Sequence, residues 1–531
     1  MRLFYFASTV LVAVSLIACG GSGAPIVPPP PLGNFSNASL QGQYAFSLAG
    51  LENVSGAYFA RIGSLTADGS GHITGGLEDE LNLSTGAPAS LLTFSNGTYQ
   101  IQANGRGLIT LNVGSGTSLQ LSVSLKSSSQ GLLVESDGQA ATSGSLYLQT
   151  PAAFSGNSLN GKYVFDFSGI SFAGTTPSVM SLIGQFAADG NGHVTGGTLD
   201  VNDGAFTPSG AMSLAASTYQ LDTNGNGTNF GRGTMTLDGK MFAFYIVDNT
   251  RIKLLEEDAL GGTQGDAILQ TGTIPTQNSG FSGSFVFLTS GFASTGNFAP
   301  VTRAGRFTAD GMGGIGTVVF DQNNDGNSTH VSTGSSTSNT SYSIDISNPG
   351  SGRGTFTFHN GSVNTVTYVF YLSSPTTAVI QDVSASIIGD GNMLAQAAGP
   401  FTASSLAGNY SFSWNGVQVV MPSPFAENFV GQAVQTSATN SNFSGALDYV
   451  ELGLNSTTNN GLLGVTLNTG ISGTLTINSD GTQDNGYKIA VGSSSPFTIN
   501  FAAYIANNQT VFLLCTDSTR TTSGLVTQQT Q

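Results

Sequence analysis

The sequence predicts an all-β protein made of four tandem antiparallel domains. Short segments in which apolar and polar residues alternate are typical of half-buried strands, and the Gly, Ser, Thr and Asn clusters between them are typical of turns. One such set of strands recurs four times along the chain. Hydrophobic residues make up 39% of the 531 residues, which is enough to give every unit a packed core despite 72 glycines.

Each repeat opens on a glycine followed by an aromatic strand. The opening patterns read SLQGQYAF, SLNGKYVF, GFSGSFVF and SLAGNYSF in turn. Their shared glycines stand 119, 122 and 125 residues apart, at Gly42, Gly161, Gly283 and Gly408. Two later landmarks keep the same order: a second glycine (Gly63, Gly184, Gly305 and Gly431) and a C-terminal glutamine (Gln149, Gln270, Gln396 and Gln529). We therefore predict four β repeats, at residues 38–154, 155–276, 277–402 and 403–531.

The first strand of each repeat indicates which residues face the core. Tyr44, Phe46 and Leu48 alternate with smaller residues, and the other three repeats follow the same rule. About eight strand segments per repeat favour an eight-stranded meander barrel, with a two-sheet β-sandwich as the alternative. The opening pattern also resembles the first strand of lipocalin-like and avidin-like barrels. Because about 120 residues can bury a core of their own, we expect the repeats to fold as separate beads.

The N-terminus has the features of a secretion signal. Arg2 precedes a short apolar run that is too short for a transmembrane helix. The residues Leu16-Ile17-Ala18-Cys19 resemble the lipobox of bacterial lipoproteins. This resemblance implies that residues 1–18 are a cleaved signal peptide and that Cys19 receives diacylglycerol and an N-acyl chain such as palmitate. Two or three acyl chains would anchor the protein stably in a membrane.

A linker separates the predicted anchor from the body of the protein. Residues 19–37 are rich in Gly and Pro, a composition that gives an extended spacer. Gly20 stands where some Gram-negative lipoproteins carry an aspartate that retains them in the inner membrane. The resemblance therefore implies an outer-membrane lipoprotein, on either the periplasmic or the surface-exposed side.

The charge of the chain excludes one class of partner and restricts another. The sequence has 14 basic and 30 acidic residues, a formal net charge of −16. Nucleic-acid binding needs a basic surface, which this composition does not provide. An anionic membrane surface would also repel the chain, so membrane attachment has to be lipidic or hydrophobic.

No catalytic signature stands out in the sequence. No serine lies in a Gly-x-Ser-x-Gly nucleophile elbow, and neither Gly-Lys pair continues into a phosphate-binding loop. The four histidines lack zinc-site spacing, so a structural zinc site is not expected. Paired carboxylates could serve a glycosidase, but a position filled in every repeat is more simply a requirement of the fold. The recurrent acids form two sets: Asp79, Asp200, Asp321 and Asp448, and Glu135, Glu256, Asp382 and Asp517.

Calcium is the one cofactor that the sequence leaves open. Two segments place oxygen-bearing side chains at alternate positions before a glycine: Asp321, Asn323 and Asp325, and Asp222, Asn224 and Asn226. This spacing resembles the first half of an EF-hand loop, but the glutamate at its end and the flanking helices are missing. Asn-Gly and Asp-Gly also favour hairpin turns, and a plain turn is the favoured interpretation.

Two further recurrent features have structural interpretations. The stretch TADGSGHITGG, residues 66–76, recurs at residues 187–197 and 308–318, and its glycines suit the second hairpin of each unit better than a catalytic acid–histidine pair. Arginines also recur, and we expect them to pair with the recurrent acids. These arginines are Arg106, Arg232 and Arg353, with Ser472 in their place in the fourth repeat.

Together these observations favour a non-enzymatic, lipid-anchored envelope or surface protein that presents tandem β modules for adhesion, glycan contact or scaffolding. The first alternative is a carrier that binds small apolar ligands inside its barrels, and the second is an enzyme acting on polysaccharide. The expected partners are a membrane, through the lipid, and a glycan or an envelope protein. The fourth repeat is the most divergent, and we expect it at the free end, as a cap or as a specialised head.

Overall fold

The computed structural model describes residues 34–530, apart from residue 115 and residues 173–176, 204–209, 259–260, 294–298, 334–339, 361–363, 385, 420–424, 436–441, 454–461 and 493–495. Cys19 and the predicted signal peptide lie outside the described residues, as does most of the predicted linker. Within the described part of the chain, none of the helices is long and apolar enough to span a membrane.

The first repeat forms a closed eight-stranded barrel. Its strands are β1 (Gln41–Glu52), β2 (Tyr58–Asp68), β3 (His72–Asn82), β4 (Ser90–Ile101), β5 (Arg106–Val113), β6 (Thr117–Ser127), β7 (Gln130–Glu135) and β8 (Ala140–Leu148). Each strand pairs antiparallel with the next, and β1 pairs with β8 to close the barrel. This is the predicted meander.

The second repeat forms the same barrel with its fourth strand split in two. Its strands are β9 (Asn160–Ser171), β10 (Ser178–Asp189), β11 (His193–Asn202), β12 (Met212–Leu214), β13 (Ser217–Leu221), β14 (Arg232–Leu237), β15 (Lys240–Asp248), β16 (Arg251–Glu256) and β17 (Gly261–Leu269). Both β12 and β13 pair with β11, and β17 pairs with β9. A five-residue helix, α1 (Asn226–Phe230), precedes β14.

In the third repeat, a single bridge closes the meander. Its strands are β18 (Ser282–Ala293), β19 (Ala299–Asp310), β20 (Ile315–Asn324), β21 (Asn327–Thr333), β22 (Ser341–Ile344), β23 (Arg353–Asn360), β24 (Asn364–Ser374), β25 (Thr377–Asp382) and β26 (Ile387–Ala395). An antiparallel bridge joins Gly314, just before β20, to Ser341 of β22 at one end of the nine-stranded sheet, while β21 at the other end pairs with β20.

The fourth repeat is again a closed eight-stranded barrel. Its strands are β27 (Gly408–Gln418), β28 (Phe425–Gln435), β29 (Asn442–Gly453), β30 (Leu462–Leu475), β31 (Thr482–Val491), β32 (Phe497–Asn507), β33 (Thr510–Cys515) and β34 (Arg520–Gln528). Short 3-10 helices precede or connect strands at Asn37–Ser39, Leu83–Thr85, Pro151–Ala153, Gly156–Ser158, Asn278–Gly280 and Ala403–Leu406. The all-β prediction of four tandem barrels is confirmed.

Side chains fill the barrel interiors. Tyr44, Phe46 and Leu48 are buried in the core of the first barrel, as their alternation predicts. The cores of the other three barrels are likewise continuous apolar clusters rich in aromatic rings. A space inside the fourth barrel has a volume of only about 30 Å³, which is room for a single water molecule. In the described parts of the barrels, side chains therefore occupy the interiors in which the carrier hypothesis placed an apolar ligand.

The two landmark glycines of each repeat have a packing reason. Gly161 has a φ of +131°, and its counterparts in the other repeats also have positive φ, a region that favours glycine. A Cβ atom on Gly184 would lie 2.5 Å from Cζ of Phe165. The aromatic ring of the first strand therefore lies directly over the glycine of the second strand, and the same contact recurs in the other three barrels.

The four barrels form a closed ring, and the expectation of separate beads is wrong. Apolar residues on the outer faces of β1, β2 and β3 pack against β15 and β16 of the second barrel. In the same way, β9 and β10 pack against β24 and β25, and β18, β19 and β20 pack against β32 and β33. The fourth barrel packs in turn against β7 and β8 of the first, so the fourth repeat has no free end. One residue at each interface precedes the second landmark glycine: Ile62, Ile183, Ala304 and Val430. These outward apolar side chains would be exposed in an isolated barrel, and the ring buries them.

Candidate functional site

Buried ion pairs join consecutive barrels. Arg232 donates through Nε and Nη2 to the carboxylate of Asp79 in the first barrel, at 2.9 and 2.7 Å. Arg353 donates in the same bidentate way to Asp200 in the second barrel, at 2.8 and 2.7 Å. The predicted pairing of recurrent arginines with recurrent acids is confirmed, and it runs between neighbouring repeats.

The same pairing closes the ring, but one interface lacks it. Arg106 of the first barrel donates through Nη2 to Asp448 of the fourth at 2.5 Å. At the interface of the third and fourth barrels, Thr482 takes the place of the arginine. Thr482 starts β31 and pairs with Tyr504, just as Arg232 starts β14 and pairs with Tyr245. The assignment of Ser472 to this position is wrong, because Ser472 lies one strand earlier, on β30.

The C-terminal glutamine of each repeat also crosses to the next barrel. Gln270 donates through Nε2 to the carbonyl oxygens of Ser351 and Leu372, at 3.0 and 2.8 Å. Gln149 and Gln396 make the equivalent bonds to the barrels that follow them. The last of the four, Gln529, reaches back to Asn104 and Leu125 of the first barrel. These landmark residues therefore hold the ring together.

The ring surrounds a central cavity of about 640 Å³ whose walls come from all four barrels. The first strand of each barrel contributes three equivalent positions, a small or polar residue, a glycine and an apolar residue: Ala49-Gly50-Leu51, Ser168-Gly169-Ile170, Ser290-Gly291-Phe292 and Asn415-Gly416-Val417. The volume falls in the range of small-molecule binding sites, roughly 300–1,000 Å³, and such sites are mostly apolar with a few polar groups.

The glycine of each triplet allows the first and last strands of its barrel to approach closely. A Cβ on Gly169 would lie 1.9 Å from the carbonyl oxygen of Gly262, and one on Gly291 would lie 1.9 Å from that of Ile388. Any side chain at these positions would push the two strands apart. The apolar residue that follows lines the cavity and stays partly exposed there, as Ile170 does.

One wall of the cavity carries a paired carboxyl group. Asp390 of the third barrel lines the cavity, and Asp166 of the second barrel lies against it. Burial, followed by the neighbouring Asp390 carboxylate, raises the pKa of Asp166 well above its usual range, and burial also raises the pKa of Asp390. Two carboxyl groups that share a proton can both donate and accept hydrogen bonds. The cavity therefore combines apolar walls with a polar anchoring point.

The first predicted calcium segment lies at the interface between the third and fourth barrels. Asp321 is buried there, and its carboxylate accepts a hydrogen bond from Tyr504 Oη at 2.5 Å. Asn323 donates through Nδ2 to the carbonyl oxygens of Cys515 and Arg520, each at 2.7 Å. Asp325 is exposed, in a turn with a φ of +51°. Asp321 and Asn323 thus have separate partners, and calcium binding here stays a prediction.

The second predicted calcium segment forms the turn that leads into α1. Asp222 accepts a hydrogen bond from Arg232 Nη1 at 2.7 Å and so belongs to the ion pair between the first and second barrels. Asn224 Oδ1 accepts from the backbone N–H of Asn226 at 3.2 Å, at the start of the helix. Calcium binding at this segment also stays a prediction.

The acid–histidine stretch is a hairpin, as predicted. Gly69 and Gly71 form the turn between β2 and β3, with φ values of +79° and +112°. Asp68 accepts hydrogen bonds from the backbone N–H groups of Ser70 and His72, at 2.7 and 3.0 Å. These backbone bonds lower the pKa of the Asp68 carboxyl to about 2. The carboxylate is thus occupied in holding the turn.

The second set of recurrent carboxylates also has structural partners. Glu135 accepts a hydrogen bond from Thr142, and Glu256 accepts one from Thr263, each at 2.8 Å. The other two contacts are those of Asp382 with Arg303 and of Asp517 with Asn500. Each of these partners lies in the same barrel as its acid, so the contacts belong to the barrels themselves.

No protein-family model and no curated protein matches this sequence. Among solved structures, the chain is similar to isotype 1 transferrin binding protein B from serogroup B Neisseria meningitidis, with 9% identity over 75% of this chain and 83% of that chain, at a TM-score of 0.21. It is also similar to a double mutant of transferrin binding protein B from Haemophilus parasuis, with 8% identity, coverage of 76% and 84%, and a TM-score of 0.19. A protein of unknown function from Nostoc punctiforme matches 44% of this chain and 95% of its own, with 11% identity and a TM-score of 0.14.

Proposed function

We propose that this chain is a lipid-anchored binding protein of the cell envelope that holds a small amphipathic ligand at the centre of its ring. The observation that carries the proposal is the cavity lined by the same strand triplet from all four barrels. Acyl chains on Cys19 would attach the protein to the outer membrane, and residues 19–37 would hold the ring away from the lipid. The carrier hypothesis is thereby kept, with its site moved from the barrel interiors to the ring centre.

The chemistry of the walls indicates the class of ligand. Leu51, Ile170, Phe292 and Val417 offer apolar contact from four directions, which suits a hydrocarbon chain or a ring system. Asp390, supported by Asp166, offers one polar group that suits a hydroxyl or an amide. Because the walls belong to barrels held by buried ion pairs, the site is formed before the ligand arrives, which lowers the entropic cost of binding.

The other functions predicted from the sequence are adhesion, glycan contact and scaffolding. The described residues offer no observation of comparable weight for any of them. A glycan site would need polar and aromatic side chains converging at a surface, whereas the aromatic clusters of the described part of the chain lie in the barrel cores. Binding in the central cavity is therefore the function that the geometry supports best.

The proposal can be tested with a fluorescent amphipathic probe that carries a hydroxyl group, such as dansylated undecanol. We expect saturable binding to the mature protein, and we expect Ile170→Trp or Val417→Trp to weaken it at least about tenfold by filling the cavity. Met241→Trp is the matched control, because Met241 is 49% exposed and does not line the cavity. Absence of saturable binding, or equal affinity in folded cavity variants and wild type, would overturn the proposal.

A further inference from the structure

The interface of the third and fourth barrels gathers two carboxylates and an imidazole. Asp321 lies on β20, His330 faces it from the neighbouring strand β21, and Asp484 reaches the same point from β31 of the fourth barrel. Their potential ligand atoms, one from each side chain, all lie within 4.8 Å of one another. Asp321 is buried, whereas the His330 side chain is 38% exposed, so the cluster can be reached from solvent.

This cluster places a second carboxylate beside the interface aspartate, where the other three interfaces place an arginine. At the other three interfaces, a buried arginine neutralises the equivalent aspartate. Here the position of that arginine is filled by the uncharged Thr482, and Asp484, two residues later, adds a second negative charge. A buried carboxylate without a compensating charge is costly, so the cation at this interface has to be either a protonated His330 or a bound metal ion.

We propose that Asp321, His330 and Asp484 bind a divalent transition-metal ion of the zinc or manganese class. An imidazole nitrogen with two carboxylate oxygens is a common ligand set for these ions, and water can complete the coordination shell. Calcium prefers oxygen ligands only, which the histidine does not offer. The metal takes the place of the missing arginine and links two strands of the third barrel to one strand of the fourth.

A proton on His330 is the competing cation. His330 Nδ1 lies 2.8 Å from Asp321 Oδ1, and this contact raises the pKa of the imidazole. The charged groups that face His330 are Asp321 and Asp484, both acidic. Metal binding has to displace the proton, so the affinity for metal rises with pH until the imidazole is neutral. This site is separate from the central cavity and does not depend on the proposed ligand.

The test is titration of the metal-stripped mature chain with Zn²⁺ alone, followed by isothermal calorimetry and by thermal unfolding. We expect one ion per chain and a higher unfolding midpoint with metal. His330→Ala and Asp484→Asn should each weaken binding at least about tenfold. Thr482→Arg should abolish binding while keeping the interface, because it restores the cation found at the other three interfaces.

His193→Ala provides the matched control. His193 also contacts an aspartate, Asp189, with Nδ1 and Oδ2 2.9 Å apart, and the described part of the chain offers no third ligand there. This variant should bind Zn²⁺ as the wild type does. The proposal is overturned if the wild type binds no stoichiometric Zn²⁺, or if His330→Ala and Asp484→Asn, both folded, bind it with unchanged affinity. Binding lost equally in His193→Ala would also overturn it.

Discussion

At the scale of single residues, the buried charges determine which barrel faces meet. Asp79 and Asp200 are each about 1% exposed and each receives an arginine from the following barrel. A buried pair of this kind adds little net stability, but removal of one partner typically costs about 3–5 kcal/mol, because the other charge is left uncompensated. Any alternative packing of the barrels would leave these charges unpaired. We infer that the pairs act chiefly by excluding other arrangements of the ring.

The pairing of Asp166 with Asp390 leads to a prediction about pH. The folded protein keeps a proton on this pair to higher pH than the unfolded chain does, because the pKa of each carboxyl is raised. The free energy of unfolding therefore falls as pH rises through the raised pKa values. We expect Asp166→Asn to stabilise the ring by roughly 1 kcal/mol at pH 8, which raises the unfolding midpoint by about 1–2 °C for a protein of this size, and to have little effect at pH 4.

Differential scanning fluorimetry across a pH series measures this effect. Asp325→Asn is the control, because Asp325 is exposed in a turn and should leave the unfolding midpoint unchanged at every pH. An equal shift for Asp166→Asn at pH 4 and pH 8 would contradict the shared proton.

At the scale of elements, the contact between the first two strands of each barrel leads to a second prediction. Phe165 of β9 covers Gly184 of β10, with no room for a side chain on the glycine. Gly184→Ala should therefore lower the free energy of unfolding by about 1–3 kcal/mol, through displacement of the ring. Urea denaturation measures the change. Gly114→Ala serves as the control, because a Cβ atom there would have no other atom within 4 Å. A similar loss of unfolding free energy in both variants would show that the contact of Phe165 with Gly184 is not the cause.

The sequence predicts elements well wherever the signal is local. The β2–β3 hairpin follows from Gly69 and Gly71, and the inward faces follow from strict alternation in the first strands. The alignment of Ser472 with the arginines relies on the Gly-Thr pair that follows Arg232 and Arg353 in the sequence. It fails because the matching pair in the fourth repeat, Gly473-Thr474, lies at the end of β30, a 14-residue strand. Strand length varies between repeats, so a pattern alone does not fix the strand on which a residue lies. The sequence therefore does not reveal that Asp484 of the fourth repeat lies beside Asp321 and His330 of the third.

At the scale of the whole molecule, the ring and its cavity were not predicted from the sequence. The residues that meet across interfaces, such as Arg106 and Asp448, are separated by hundreds of positions and belong to different repeats. Their recurrence shows that they matter to the fold without showing which repeat each one faces. The cavity did leave a signal, a glycine eight residues after the first landmark glycine in every repeat: Gly50, Gly169, Gly291 and Gly416. Such a repeated glycine marks close approach of backbones, but only the closed ring brings the four together.

Closure of the ring can be tested from the outer face of a single strand. Val430 of β28 is 1% exposed and packs with Val134 and Ala141 of the first barrel, away from the core of its own. Val430→Asp should therefore open the ring without unfolding the fourth barrel, since an unpaired carboxylate at this interface costs several kcal/mol. We expect a larger radius of gyration in small-angle scattering and at least about tenfold weaker binding of the dansyl probe. Leu467→Asp, at a site 46% exposed on the same barrel, should change neither. A compact Val430→Asp variant with unchanged probe affinity would show that the interface between the fourth and first barrels does not hold the cavity together.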